Sequence, residues 1–365
     1  MRRFWLPLLA ALLLPVALPA SAQERVINVY NWTDYIDPAV IERFTRETGI
    51  TVRYDVFDSL ETLEAKLSAG RSGYDVVVPT SEPSFARLVR AGALRSLDRA
   101  RLPNFAGQDP ALLRQVASSD PGNAHGAIYL WGTIGMGLRP ARIRALFPEA
   151  PLDSLDLLLR PENIRRIAGC GVAVMDSGID VIPSVLHWLR RDPQGAGAED
   201  LRAAEAALLA VRPSFRAIIS SAAITDALAT GEYCAVIGYS GDVVQAQARA
   251  REAGRGDDLT YVQPREGAQL WFDMLAIPAD APHPEDAHAF IDFLLRPEVM
   301  AAITNKVRYP NAVPASRASL SEEVARDPNI YPPPEAIARA FTVAAPPPAA
   351  ERARSRVWSR VKAGR

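Results

Sequence analysis

Acidic and aromatic side chains stand at the carboxyl ends of several predicted strands of this chain. Carboxylates accept charge-assisted hydrogen bonds from ammonium groups, and aromatic faces attract cations while they pack on methylene groups. If these strand ends converge, they form an anionic pocket with aromatic walls that suits an organic cation. The residues concerned are Trp32, Asp34 and Tyr35, Thr80 and Glu82, Asp180, Tyr239 and Asp242, together with Asp273 in the later apolar run 270–275.

Each of these residues also has an ordinary structural explanation. Loop aspartates usually cap helices or form turns, and tryptophans and tyrosines at strand ends often pack in the core. An acid or an aromatic residue at several strand ends together is harder to explain in that way. The sequence therefore indicates a binding site, provided that the strand ends converge in the tertiary structure.

The elements that carry these residues alternate along the chain as strand and helix. A strand over 26–30 leads into the Trp32 segment, and Asp37 with Pro38 then forms the N-cap and first turn of a helix that Gly49 ends. This alternation predicts an α/β protein with parallel sheets, in which ligands bind beyond the carboxyl ends of the strands. The further predicted elements are strands over 50–57, 74–78, 171–175, 234–238 and 270–275, a helix after 59 that ends at Gly70, and a helix over 286–306.

The composition and charge of the chain exclude several classes of protein. Its 365 residues include 41 basic and 42 acidic groups, 48% hydrophobic residues and 2 cysteines. Such a chain can bury a large core and has no excess of charge to hold nucleic acid. A disordered tail, a histone-like binder and a disulfide-dense miniprotein are excluded on these grounds.

Residues 1–22 are interpreted as a secretory signal peptide. Arg2 and Arg3 precede an apolar run over 4–20 that prolines interrupt, and residues 20–22 (Ala-Ser-Ala) form a small-x-small cleavage site. A membrane anchor is the alternative, but the uninterrupted apolar stretch is shorter than the roughly 20 residues that a spanning helix needs. We therefore expect an exported, soluble protein whose net charge is more negative than the −1 of the whole chain.

Export makes the two cysteines, Cys170 and Cys234, informative. An oxidising compartment favours their pairing, and closing a loop of this length stabilises a protein by about 3 to 4 kcal/mol on the chain-entropy model. A catalytic thiol and two buried free thiols are the competing interpretations. Neither cysteine has a histidine nearby in the sequence and each begins an apolar run, which favours a structural disulfide.

Motifs that would indicate an enzyme, a metal site or a cofactor site are not found in the sequence. The 4 histidines lack metal-ligand spacing, and no Gly-Lys pair supports a phosphate-binding loop. We therefore expect no catalytic residue, no metal and no cofactor. Paired carboxylates also serve glycosidases, so a carboxylate-dependent hydrolase acting on a cationic or sugar substrate stays the alternative.

Several motifs, in order along the chain, resemble the periplasmic putrescine/spermidine-binding proteins of ATP-driven polyamine importers. The resemblance extends from about Val26 to residues 357–362 near the C-terminus. The motifs that carry it are Asn31-Trp32-Thr33-Asp34-Tyr35-Ile36, Tyr54-Asp55-Val56-Phe57-Asp58, Tyr74-Asp75-Val76-Val77-Val78-Pro79, Gly238-Tyr239-Ser240-Gly241-Asp242, Phe272-Asp273 and Asn329-Ile330-Tyr331-Pro332-Pro333.

The resemblance implies the type II periplasmic-binding-protein fold, in which two α/β lobes close on a ligand in the cleft between them. Lobe 1 is expected over 23–131 with 264–308, and lobe 2 over 132–263 with 309–365. It further implies a monomer that delivers a polyamine, putrescine or spermidine, to the inner-membrane permease of an ABC transporter. A disulfide between Cys170 and Cys234 is implied as well. Two alternatives are a receptor that serves a membrane sensor and a receptor for iron or sugar, and the distributed carboxylates argue against the second.

The same resemblance assigns roles to individual residues. No basic residue is expected in the cleft, so the ligand itself would supply the counter-charge. Aromatic walls are expected from Trp32, Tyr35, Tyr239, Trp271 and Tyr309, ammonium partners from Asp34, Asp180, Asp242 and Asp273, and hydroxyl partners from Thr33 and Thr80.

Glu82 departs from the pattern of the putrescine receptors, which have a small neutral residue there. Pro83 follows it in what resembles a one-residue insertion. We hypothesise that Glu82 adds a distal anionic contact and shifts the preference toward a longer polyamine. The alternative is an exposed first-turn acid favoured by the helix dipole. Tyr239 and Trp271 also depart from that pattern, since a tryptophan and a phenylalanine stand there in the putrescine receptors, and Thr33 and Trp271 look more like the spermidine-preferring relatives.

The basic C-terminal segment, 351–365, is predicted to be a helix. We expect Val357, Trp358 and Val361 to pack it against the protein while its arginines are solvated. A contact with a membrane or a permease is the alternative interpretation.

Overall fold

The structure, a computed structural model, describes residues 25–255 and 258–364. The predicted signal peptide, residues 1–22, lies outside the described residues. Within the described part of the chain, no helix has both the length and the apolar composition needed to cross a membrane.

The described strands form one mixed sheet in the order β2-β1-β3-β9-β4-β7-β5-β6, and β8 pairs with β4. At one end β1 pairs in parallel with β2 and β3, and at the other β5 pairs in parallel with β6 and β7. The strands are β1 (Arg25–Trp32), β2 (Ile50–Phe57), β3 (Val76–Val77), β4 (Gly126–Leu138), β5 (Val172–Met175), β6 (Ala217–Ile219), β7 (Ala235–Tyr239), β8 (Thr260–Val262) and β9 (Gln269–Ala276).

Two long strands join the parallel ends of the sheet. β4 pairs antiparallel with β9 from Gly126 to Ile134 and with β7 from Ile134 to Leu138. Every residue of β4 and of β9 is buried, as expected for central strands that are covered on both faces. The predicted crossover between the lobes, near Gly132, falls inside β4, and the lobe boundaries themselves stay a prediction.

Helices alternate with the strands along the chain, so the predicted α/β class is confirmed. The helices are α1 (Pro38–Thr48), α2 (Leu60–Ser68), α3 (Ala86–Arg90), α4 (Pro110–Gln115), α5 (Pro140–Leu146), α6 (Asp156–Leu159), α7 (Pro161–Ile167), α8 (Gly178–Trp188), α9 (Ala198–Val211), α10 (Ser221–Thr230), α11 (Ser240–Glu252), α12 (Pro284–Leu294), α13 (Pro297–Val307), α14 (Glu322–Arg326), α15 (Pro334–Arg339) and α16 (Pro348–Ala363).

The first helix shows how local sequence sets these boundaries. The Asp37 side chain accepts a hydrogen bond from the Ala39 amide, and Pro38 takes the first helical position, where its missing N–H costs nothing. Gly49 ends the helix with a φ of 71°, a left-handed conformation that glycine adopts without steric cost. The predicted beginning and end of α1 are therefore confirmed.

The predicted single helix over 286–306 is wrong. The chain forms two helices there, α12 and α13, and between them Arg296 is extended, with φ −62° and ψ 135°. The reason is Pro297, because a proline disfavours helical backbone in the residue before it and has no N–H for the helix ladder.

The C-terminal helix α16 packs with Val357, Trp358 and Val361 buried, as predicted. The expectation that its arginines are all solvated is wrong for Arg354, which is 4% exposed. Its guanidinium donates hydrogen bonds to the carbonyl oxygens of Pro193 and Gly195, and these bonds compensate part of the cost of burial.

Candidate functional site

Four of the predicted aromatic residues form a continuous row of rings. The ring centroids lie 5.4 Å apart for Tyr35 and Tyr309, 5.2 Å for Tyr309 and Trp271, and 5.7 Å for Trp271 and Tyr239. Each pair is edge-to-face, the geometry that aromatic quadrupoles favour. The structure therefore brings together strand ends that are far apart in sequence. Trp32 stands outside this row and packs on Phe57 at 4.5 Å.

Two glycines make room for this aromatic row. A Cβ atom at Gly132 would lie 2.5 Å from the Trp271 ring, and one at Gly241 would lie 2.3 Å from the Tyr309 ring. Real Cβ contacts are not that short, so both rings can occupy these positions only against glycine. Gly132 of β4 and Gly241 of α11 thus contribute to the candidate site through packing.

Asp180 lies in the first turn of α8, beyond the end of β5, and receives three hydrogen bonds. Its Oδ2 accepts from the Ser177 hydroxyl at 2.6 Å and the Tyr239 hydroxyl at 2.7 Å, and its Oδ1 accepts from the Gln269 amide at 3.0 Å. Burial raises the pKa of Asp180 above its ordinary value, while these three donors act to lower it.

Asp242, in the first turn of α11, is held by two hydroxyl groups. Its Oδ1 accepts from the Tyr309 hydroxyl at 2.6 Å and its Oδ2 accepts from the Ser221 hydroxyl. The backbone amide of Asp242 donates in turn to the Tyr309 oxygen at 3.1 Å. Burial raises the pKa of this carboxyl, and the hydrogen bonds from Ser221 and Tyr309 together with the positive charge of Arg249 oppose the rise.

Asp273 lies in β9 and is 4% exposed. Its Oδ1 accepts a hydrogen bond of 2.6 Å from the Thr80 hydroxyl. Burial raises the pKa of Asp273 to about 7, the Thr80 bond acts to lower it, and the negative charge of Asp180 raises it further.

Glu82 is held between β3 and α3 in a conformation that the first-turn alternative did not anticipate. Its backbone is extended, with φ −124° and ψ 130°. One carboxylate oxygen, Oε1, accepts from the Ser119 hydroxyl at 2.6 Å, while Oε2 is buried without a hydrogen-bond partner. Burial raises the pKa of Glu82. The interpretation of Glu82 as an exposed acid is therefore wrong.

A cavity of about 220 Å³ opens beside the aromatic row. Three of the predicted residues, Glu82, Asp180 and Trp271, contribute to its wall. Gln269 and Arg354 also line it, and the sequence analysis predicted neither.

Thr33 and Asp34 are exposed, unlike the other predicted residues. The Thr33 hydroxyl donates to the Phe57 carbonyl at 3.4 Å, and Asp34 forms an ion pair of 3.1 Å with Arg249 of α11. The expectation that no basic residue reaches the cleft is therefore wrong at Asp34. Arg249 forms ion pairs with two acids, since its Nη2 contacts Asp34 and its Nη1 contacts Asp226 at 2.8 Å.

Several residues that contact the predicted site residues or line the cavity were missed by the sequence analysis. Ser177 and Gln269 lay close to predicted strand ends, so their positions carried a signal that could have found them. Ser221, Arg249 and Arg354 lie within or beside helices and reach the site only through tertiary packing.

The predicted disulfide between Cys170 and Cys234 is confirmed, with Cα atoms 5.6 Å apart. It joins the residues that precede β5 and β7, two strands that pair in parallel. Among residues 25–255 and 258–364, no group of three or more His, Cys, Asp and Glu side chains is arranged to hold a metal ion.

The chain is similar in sequence to bacterial solute-binding proteins. A profile of the bacterial extracellular solute-binding proteins matches residues 39–332. The chain is 45% identical over 368 residues to the putrescine-binding periplasmic protein SpuD of Pseudomonas aeruginosa, covering 100% of both chains. It is 42% identical over 365 residues to the putrescine-binding periplasmic protein PotF of Escherichia coli, covering 99% of this chain and 98% of that one.

Solved structures extend the similarity to the whole fold. A putative spermidine/putrescine ABC transporter protein from Listeria monocytogenes superimposes with a TM-score of 0.82 at 28% identity. The superposition covers 93% of this chain and 100% of the other.

Proposed function

Because the chain belongs to the bacterial extracellular solute-binding protein family, we propose that it is a periplasmic receptor that captures a polyamine, putrescine or spermidine, for an ABC transporter. The relatives named above are described as putrescine-binding or as spermidine/putrescine proteins. Their names supply the ligand class, and the geometry of the site supplies the physical reason for it.

The observation that carries the proposal is a group of three acids removed from bulk water, of which Asp242 and Asp273 are buried and Asp180 is half-buried. Asp180, Asp242 and Asp273 receive hydrogen bonds from hydroxyl and amide groups only, and none of the three forms an ion pair within the described residues. A buried carboxylate without a positive partner is costly, and such a group either binds a proton or attracts a cation. An organic diammonium ion supplies both charge and hydrogen-bond donors.

The aromatic row accounts for the rest of the ligand. A polyamine alternates ammonium groups with methylene chains, and ring faces and edges pack on the methylenes while attracting the charge. The proposed ligand-binding set is Trp32, Thr33, Asp34, Tyr35, Thr80, Glu82, Asp180, Tyr239, Asp242, Trp271, Asp273 and Tyr309.

Delivery completes the proposal. We place the ligand between two lobes that close by a hinge motion, with lobe 1 over 23–131 and 264–308 and lobe 2 over 132–263 and 309–365. The protein would work as a monomer, exported through its N-terminal signal peptide, and would hand the polyamine to an inner-membrane permease. It would bind its ligand without turning it over.

A thermal-shift panel tests the ligand class. Diamines, longer polyamines, amino acids and sugars are added separately at equal concentration to the protein that lacks residues 1–22. A ligand that binds only the folded state stabilises it by about 2.7 kcal/mol at 100 times its Kd. This stabilisation raises the Tm. We expect a shift with putrescine or spermidine alone, and a shift only with sugars or neutral amino acids contradicts the proposal.

Turnover is tested separately. Each amine that binds is incubated with the protein and followed by mass spectrometry. We expect the ligand to be recovered unchanged, and a stoichiometric excess of product over protein would favour the hydrolase instead.

A further inference from the structure

The first residue of α11, Ser240, uses its hydroxyl group to bond the sheet rather than to cap the helix. Tyr239 is the N-cap residue, and within the described residues its side chain makes no capping hydrogen bond. Serine is a residue type that commonly caps helices. The Ser240 Oγ instead accepts a hydrogen bond of 3.3 Å from the backbone amide of Thr133 in β4. Ser240 is buried, so this bond is shielded from water.

The position of this bond follows from the register of the sheet. β4 and β7 pair antiparallel with Ile134 opposite Tyr239, so the next ladder position would place Thr133 opposite Ser240. β7 ends at Tyr239, where the chain turns into α11. The Ser240 hydroxyl thus gives the buried Thr133 amide an acceptor at the point where the ladder stops. A buried amide without an acceptor would be costly.

Thr133 lies where β4 changes its antiparallel partner. The next residue, Ile134, pairs with both β9 and β7. The Thr133 hydroxyl also shares a hydrogen bond of 2.8 Å with the Tyr261 hydroxyl of β8. Neighbouring strands therefore hold Thr133 in place, and the bond to Ser240 ties the beginning of α11 to this fixed point.

Close packing of α11 on β4 acts together with this bond. A Cβ atom at Gly137 of β4 would lie 2.8 Å from Cγ2 of Val243 on α11, and one at Gly132 would lie 3.0 Å from the Ser240 Oγ. Both distances are shorter than ordinary contacts, so a larger residue at either position would push α11 away from β4. The two glycines allow the close approach, and the Ser240 hydrogen bond holds it.

Residues 239–242 carry three parts of the proposed ligand site. Tyr239 packs edge-to-face on the Trp271 ring, Gly241 leaves room for the Tyr309 ring, and Asp242 supplies a carboxylate. All of them lie within two positions of Ser240, so a shift of the beginning of α11 moves them together. Binding sites need their groups held within about 0.5 Å of the productive geometry.

We infer that Ser240 is a positioning residue of the proposed polyamine site. Its bond to the Thr133 amide holds Tyr239 and Asp242 where the ligand needs them. The inference rests on the proposed receptor function and adds a residue outside the proposed ligand-binding set. A serine that only stabilised the fold would not change the affinity of the folded protein.

Calorimetry with putrescine and spermidine compares the native protein with Ser240→Ala and Ser240→Thr. We expect Ser240→Ala to weaken both ligands by about tenfold, because the buried Thr133 amide regains a partner only if α11 moves or water enters. Threonine keeps the hydroxyl group, so Ser240→Thr should stay within about threefold of the native affinity.

Ser154→Ala is the matched control for the loss of a buried hydroxyl group. The Ser154 hydroxyl donates to Glu266 and accepts from the Asp156 amide at 3.0 Å, so its partners lie outside the proposed ligand-binding set. We expect Ser154→Ala to lower the Tm, as Ser240→Ala does, and to leave both dissociation constants unchanged. Equal losses of affinity in the two variants would overturn the positioning role.

Gly137→Ala displaces the same helix without a change at Ser240. The added Cβ atom would press on Val243, so we expect the affinity for both polyamines to fall. A second substitution, Val243→Ala, removes the methyl group that the new Cβ atom meets and should restore part of the affinity. This series decides the inference if Ser240→Ala does not fold, and native affinity in Gly137→Ala would then overturn it.

The outcomes separate this inference from the proposed function. Native affinity in Ser240→Ala, or a folded Ser240→Thr that binds as weakly as Ser240→Ala, overturns the positioning role while the receptor function stands. Failure of the native protein to bind either amine overturns the receptor function itself.

Discussion

Thr80 donates a hydrogen bond of 2.6 Å to Oδ1 of Asp273, across an isolated bridge between the segment after β3 and the strand β9. Burial raises the pKa of this carboxyl to about 7, and the hydrogen bond from Thr80 acts to lower it. Both the neutral and the charged form of Asp273 are therefore populated near neutral pH. A bound ammonium group would decide between them, since it stabilises the charged form.

Asp273→Asn is expected to weaken every polyamine by about tenfold to a hundredfold. The substitution keeps the shape of the side chain and removes the charge that an ammonium group would meet, worth about 1.5 to 3 kcal/mol. Calorimetry with putrescine and spermidine measures the effect. Asp58→Asn, at an exposed position after β2, is the control. Unchanged dissociation constants in Asp273→Asn would remove Asp273 from the site.

Polyamine binding is expected to release protons near pH 6 to 7. Burial raises the pKa of Asp273 to about 7, so this carboxyl carries a proton in a substantial fraction of ligand-free molecules at that pH. Affinity should therefore fall as the pH drops below 7, by at most about tenfold per pH unit for each proton released. Titrations in two buffers of different ionisation enthalpy count the protons.

The stability of the ligand-free protein should decrease with rising pH because of the raised pKa of Asp273. A carboxyl with a raised pKa in the folded state contributes stability that is full below about pH 4 and is lost as the pH rises through about 7. As the pH rises from 4 to 7, the unfolding free energy of the native protein should therefore fall relative to that of Asp273→Asn. A difference that does not vary with pH would contradict the raised pKa.

Tyr309→Phe is expected to destabilise the protein by about 1 to 3 kcal/mol and to weaken polyamine binding. Its hydroxyl donates to Oδ1 of Asp242 and accepts from the Asp242 amide, so its removal leaves buried polar groups unsatisfied. Tyr30→Phe is the matched control, because the Tyr30 hydroxyl makes no hydrogen bond within the described residues and its ring stacks on Tyr74. Urea unfolding and calorimetry measure the two effects, and equal losses in both variants would contradict the role of Asp242.

Loss of the Cys170–Cys234 disulfide is expected to lower the unfolding free energy by about 3 to 4 kcal/mol. The bond closes a loop with a sequence separation of 64 and thereby reduces the entropy of the unfolded chain. Urea unfolding of the oxidised protein is compared with that of the Cys170→Ala, Cys234→Ala double variant. Polyamine affinity should change little, since the bond lies at the amino ends of β5 and β7 rather than at the strand ends that carry the site.

The α/β class and most element positions could be predicted because local signals carry them. Asp37, Pro38 and Gly49 act within one helix, and the apolar run of β5 indicates a strand covered on both faces. Where a local rule was overlooked the prediction failed, as at Pro297, which divides α12 from α13.

The composition of the site was also largely within reach of the sequence, and its internal bonding was not. The resemblance placed Trp271, Tyr309 and Tyr35 among the aromatic walls, and the structure brings their rings together. The sequence could not show that Asp34 meets Arg249 at the surface, because that contact joins residues from opposite parts of the chain.

The sequence by itself determined the order of strands and helices, the export signal as an expectation, and the list of acids and aromatic residues at the strand ends. Periodicity, capping residues and turn residues act over a few positions, so they can be recognised along the chain. Only the tertiary structure decided which acids are removed from water without forming an ion pair. It also decided that the Oε2 atom of Glu82 has no hydrogen-bond partner and that Arg354 lines the cavity beside the aromatic row. Desolvation and long-range contacts set those properties, and both depend on neighbours that sequence distance does not reveal.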